Sequence, residues 1–203
     1  MKRRSFRRAS VVLAALAFMT VRAMAPGDGG PLALPAAAAS VVRPQSFENL
    51  IDRSQLVVIG QAAERTCVWE DGRIITYSRV AIEQTVVGTA PQVLWIRTLG
   101  GEVGELGQSV DGEASLELAR TTLLFLEPAP GGTFAVAARA QGQFFIDARP
   151  SGRILRPHPA MGAFMVRGPR DLVVPAADRL KTRFVDDAAR DIRARWEANH
   201  ARK

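Results

Sequence analysis

Cysteine, tyrosine and histidine are scarce in this chain. Its 203 residues include one Cys, one Tyr and two His. A lone thiol, Cys67, makes no disulfide within the chain, so the fold must hold by packing. As a nucleophile Cys67 would need a base and an electropositive setting. Its segment supplies Arg65 and no histidine, so a structural thiol is the expectation. His158 lies in a Pro-rich stretch and His200 close to the last residue. Neither is expected to be held rigidly enough for a general base. No G-x-S-x-G elbow, H-E-x-x-H helix or phosphate loop occurs. Glu102, Glu105, Asp111 and Glu113 gather around a glycine-rich stretch, but their spacing matches no calcium loop. No catalytic residue, metal or cofactor is therefore expected.

Charge of one sign is also scarcer than the total implies. The formal net charge is +7. Residues 1–39 hold six Lys/Arg against one Asp, a net +5, which leaves +2 on the rest. The body from Ser40 to Pro175 carries 13 basic and 14 acidic residues. No electrostatic footprint for nucleic acid remains there.

The N-terminus has the three parts of an export signal. Lys2, Arg3, Arg4, Arg7 and Arg8 form a basic region, and Val11–Val21 an apolar one. The apolar run falls short of the about 20 residues that a span needs, so no stable membrane anchor is expected after cleavage. Ala23-Met24-Ala25 and the run Ala36–Ala39 offer small-residue cleavage sites, with Ala25, Ala38 and Ala39 the candidates. Arg3-Arg4-Ser5-Phe6 resembles the twin-arginine motif, with Arg7 where Leu is usual; the general secretory route is the alternative. No lipid-accepting Cys follows the apolar run. The mature protein is expected in the periplasm or secreted.

Beyond residue 39 the periodicity is mostly that of strands. Ser46–Arg53 reads as a short capped helix. Leu56–Gly60 is an apolar run suited to a strand buried on both faces, continuing to Trp69 with a bend at Gly60. Asp71-Gly72 signals a type I′ hairpin into a long strand ending at Val87. Val93–Leu99 is a third strand. Gly100–Gly107 has four glycines in eight residues and is expected to be irregular, its glycines permitting sharp turns or a close backbone approach, and a short strand around Gln108–Val110 follows. Thr121–Leu126, stopped by Pro128 and Pro130, then Phe134–Ala137, Phe144–Ile146 and Ile154–Leu155 complete the β region.

The expected fold is mainly β: a small OB-like β-barrel over 40–156, with a short N-terminal helix. A Pro/Gly-rich strap over 157–175 and a C-terminal amphipathic helix over 176–203 follow. Leu180, Phe184, Ala188, Ile192 and Trp196 recur every four residues, and this stripe is expected to pack on the chain's own barrel.

From Phe47 to Phe145 the order of motifs is similar to a family of uncharacterised exported bacterial proteins. It comprises Ser54–Gly60, the Asp71-Gly72 hairpin, Thr98–Gly104, Leu123–Leu126 and Ala140–Phe144. The opening Arg53–Val58 and the strand order also resemble, more loosely, netrin-type domains, including tissue inhibitors of metalloproteases. That resemblance implies an OB-like five-stranded barrel. Those domains carry an N-terminal cysteine that reaches the protease metal, and several disulfides. This chain has neither, so only the fold is carried over.

The functional expectation is an extracytoplasmic, non-catalytic binding or interaction module with a protein partner in the cell envelope. Candidate ligand-binding residues are Gly100, Gly101, Glu102, Gly104 and Gln108 in the glycine stretch, and Gln141. Two alternatives stand beside it: an envelope assembly component docking through the C-terminal helix, and a hydrolase with an unrecognised site.

Overall fold

The structure is a computed structural model that describes residues 43–161 and 173–201, all within one unit spanning 39–203. The export-signal residues Arg3, Arg4, Phe6, Ala25, Ala38 and Ala39 lie outside the described residues, as does most of the strap.

Helix α1 (Phe47–Arg53) opens the described chain, and the Ser46 hydroxyl accepts from the Asn49 N–H as its cap. Such a cap is worth about 1 kcal/mol. Phe47, Leu50 and Ile51 are its buried face. Strands β1 (Leu56–Glu70) and β2 (Arg73–Val87) form one long antiparallel hairpin. Its turn has positive φ at both Asp71 and Gly72, as the Asp-Gly pair predicts. The bend expected at Gly60 is present as a register shift between Ile59 and Gly60. A Cβ on Gly60 would lie 2.5 Å from the Ala81 carbonyl oxygen, so only glycine permits this approach.

Strand β3 (Val93–Leu99) pairs with β2. A crossover carries the two-stranded hairpin β4 (Gly101–Val103) and β5 (Leu106–Gln108). The expected irregular stretch is thus a regular hairpin: Gly100, Gly101 and Gly104 take positive φ at its entry and turn, while Gly107 pairs with Glu102 within the ladder. Strand β6 (Thr121–Ala129) pairs with the first part of β1. It runs through Pro128, which sits opposite Phe134 of β7 (Thr133–Val136), so the proline does not end it. On its other edge β6 also pairs with β8 (Gln143–Arg149), and β8 with β9 (Gly152–Pro157).

Strands β1, β2, β3, β7 and β6 follow one another round a ring, with β1 paired back to β6. This is an OB-like barrel, and it is not closed. The β3–β7 seam is parallel and rests on one bridge, Ile96 to Phe134. Beyond that bridge the two strands diverge.

Alternation along β1 sends Leu56 and Val58 into the barrel and Val57 and Ile59 to its outside. The inner cluster includes Val80, Ile96, Leu124 and Leu126. The outer cluster joins Leu123, Phe125 and Phe144 to the helices. The rings of Phe125 and Phe144 meet edge to face at 6.0 Å. The buried run in β1 is therefore covered on both faces.

The C-terminal stripe is on this outer cluster, as expected, but it is not one helix. It divides into α2 (Ala176–Leu180) and α3 (Val185–His200), with Thr182 at φ 61° between them. Leu180, Val185, Ala188 and Ile192 are buried, whereas Phe184 precedes α3 and is 42% exposed. The turn is held by backbone bonds from Thr182 N–H to Leu155 C=O and from Leu155 N–H to Arg183 C=O. No described helix is long and apolar enough to cross a membrane.

Candidate functional site

The β4–β5 hairpin is pinned over one end of the barrel. The Gly100 N–H donates to Ile74 C=O at 2.7 Å, and the Gly100 C=O accepts from the Thr76 hydroxyl at 2.6 Å. Gly101 has φ 130°, and a Cβ there would lie 2.5 Å from Thr76 Oγ1 and 2.7 Å from Cys67 Sγ. Glycine at this position is thus a requirement of both space and backbone angle. A recess of about 440 Å³ opens beside the hairpin. Gly100, Gly101, Glu102 and Gln108 line it with Arg65 and Thr98. Gly104 stands apart at the hairpin turn, where a Cβ would meet no atom within 4 Å.

The two candidate glutamines are committed to backbone. Gln108 Oε1 accepts from the Ile74 N–H at 2.6 Å. Gln141 Oε1 accepts from Gln45 N–H at 2.8 Å, and its Nε2 donates to Arg43 C=O at 3.1 Å. Gln141 thereby ties down the segment that precedes α1. Gln143, which sequence reasoning passed over, does the same for the crossover: its amide makes two bonds to the Ser115 backbone, at 3.0 and 2.8 Å. A Gln-Gly-Gln run entering a strand was the available signal. Gly142 between them has no room for a side chain, since a Cβ would lie 2.2 Å from Ala137 C=O.

A second recess, of about 570 Å³, lies at the diverging β3–β7 seam. Leu99 and Glu113 line both recesses. This one is rich in arginine: Arg43, Arg53, Arg73, Arg97 and Arg139 face it, with Glu113 and Glu127 the acidic residues. Arg53 pairs with Glu127 at 3.0 Å, and Arg139 approaches Glu113 at 3.7 Å. Arg97 donates to Glu70 Oε1 at 3.1 Å, while the Tyr77 hydroxyl donates to Glu70 Oε2 at 2.7 Å. The Tyr77 bond and then Arg97 hold the Glu70 carboxyl below the usual carboxylate range. Burial pushes the Glu113 carboxyl up, against the pull of Arg139 and backbone N–H groups. Sequence reasoning missed this site because its arginines come from five separate segments.

His158 corrects the expectation of a loosely held histidine. It is buried, with its ring 5.1 Å from that of Phe145; its Nδ1 accepts from the Ala160 N–H at 3.1 Å, and its backbone N–H donates to Gln143 C=O. Burial lowers its pKa, which favours the neutral ring. Cys67 Sγ lies 3.2 Å from Thr76 Oγ1 and is half-buried. Glu102, Glu105, Asp111 and Glu113 form no metal-holding group among the described residues. No family model matches the chain, and no curated protein or solved structure matches it.

Proposed function

We propose that this chain is an exported, non-catalytic binding module that engages a protein partner of the cell envelope at the hairpin end of its barrel. The observation that carries the reading is the way the β4–β5 hairpin is built. Gly100 and Gly101 hold it against Thr76 and Cys67, and Gln108 buttresses it from behind. Its outer side, with Glu102 and Leu106, stays exposed; Leu106 is 62% exposed. A rigidly anchored loop with a free polar and apolar tip is suited to recognition, because little ordering remains to be done on binding. Docking through the C-terminal stripe is less favoured, since Leu180, Val185, Ala188 and Ile192 already face the chain's own core.

The test is affinity capture from envelope extract with the purified chain and with Glu102→Ala/Leu106→Ser. Both residues are exposed, so the variant should keep its melting temperature. Loss of a captured protein supports the reading. Unchanged capture of every protein overturns the assignment of the hairpin as the contact.

A further inference from the structure

The arginine recess at the open seam makes no part of the hairpin reading and stands independently of it. Five arginines line it, from the segment before α1, the end of α1, the start of β2, the end of β3 and the turn before β8. Two carboxylates face them, Glu113 and Glu127, of which Glu113 lies 3.7 Å from Arg139. Arg53 is matched by Glu127 and Arg97 by Glu70. Among the described residues, Arg43 and Arg73 have no carboxylate partner. Arg97 Nε is buried and makes no hydrogen bond among them. Like charges brought together this way repel, and a buried donor left unused costs free energy.

The backbone is arranged to keep the cluster in place. Ala138 and Arg139 are both left-handed, at φ 55° and 58°. Each such non-glycine residue costs about 1–2 kcal/mol. The turn persists because Gly142 packs on Ala137 and Gln141 ties the turn to Arg43 and Gln45. The same amide thus fixes two arms of the arginine set at once. Strain concentrated where unmatched charge converges is the pattern of a preorganised ligand site.

We propose that this recess binds a small polyvalent oxyanion, a polycarboxylate or polyphosphate of a size to fit about 570 Å³. Its oxygens would accept from the exposed guanidinium groups of Arg43 and Arg73, since guanidinium groups match planar and tetrahedral oxyanions well. Glu113 competes with the ligand for Arg139.

Isothermal titration of the purified chain with citrate and with pyrophosphate, at low and at physiological salt, tests this. Saturable binding of either probe that weakens with salt is expected, and the tighter probe identifies the oxyanion. The double variant Arg43→Gln/Arg73→Gln should bind about a hundredfold more weakly, about tenfold per lost charge-assisted contact, with its melting temperature kept. Glu113→Gln should bind several-fold more tightly, a gain that misfolding does not produce. Absence of saturable binding by both probes, or binding unchanged in the double variant, would overturn the proposal.

Discussion

The two halves of strand β1 differ more from each other than either differs from its neighbours. From Leu56 to Gly60 every residue is buried, between the barrel interior and the layer of α1, α2 and α3. From Ala63 to Trp69 every residue but the half-buried Cys67 is exposed, and from Glu64 onward the strand is paired only with β2. One half is scaffold and the other is arm. The hairpin sits against the arm's side of the sheet, at Cys67, Ile74 and Thr76, and the arginine recess reaches from Arg73 at the start of β2 to Arg53 and Glu127 beside the covered end. Residues that recognise a ligand must be reachable, and here the covered half supplies the rigidity that the reachable half lacks.

The largest expected effect lies in the covered half. Phe125 is fully buried against Phe144. Phe125→Ala should cost about 3–5 kcal/mol in a denaturant titration. A loss near that of a surface substitution would break the comparison. Gly101→Ala comes next, at about 2–4 kcal/mol, from the strained φ and the collision with Thr76 and Cys67. The matching Gly104→Ala avoids the collision and should cost less, which thermal melts of the two variants compare directly.

A smaller effect depends on pH. The His158 pKa is lowered by burial, so the folded protein resists protonation that the unfolded chain accepts near 6.5. This contribution is complete above 6.5 and is lost as pH falls below it. Glu113 acts in the opposite sense, favouring the folded state less as pH rises above 4.5. Melting temperatures between pH 7.5 and 5.5 should therefore fall less in His158→Asn, whose amide oxygen can still accept from Ala160, than in the parent. The smallest effect belongs to the arm. Trp69 is 56% exposed, and Trp69→Ala should change stability by no more than about 0.5 kcal/mol.

What was legible from residues alone follows the same division. The helix at Phe47–Arg53, the doubly buried Leu56–Ile59 and the Asp71-Gly72 turn each carry a local pattern with one physical solution, and each is present. The break between α2 and α3 had no such marker, because Thr182 takes a left-handed angle usually left to glycine. The spacing also predicts i,i+4 pairs Asp186–Arg190 and Asp191–Arg195. Instead Arg190 takes the i,i+3 partner Asp187 on the same helix, while Asp191 pairs with Arg183 and Arg195 with Asp52, since other partners readily outcompete i,i+4 pairs worth only tenths of a kcal/mol. The glycines of the β4–β5 hairpin serve the sharp turn and the close backbone approach that their density predicts, at Gly104 and at Gly100–Gly101, but density alone does not tell a regular hairpin from an irregular loop. The arginine recess was hidden by averaging: 13 basic against 14 acidic residues looks neutral until folding sorts five arginines to one place.

Amide hydrogen exchange in the native state tests the central division most directly, because it reads both halves of β1 in one experiment. Val57, Val58, Ile59 and Phe125 should exchange only through global unfolding, while Glu64–Trp69 and Glu102–Gln108 should exchange through local opening at a lower free energy. Uniform protection along the whole of β1, or an arm as slow as the covered half, would contradict the account.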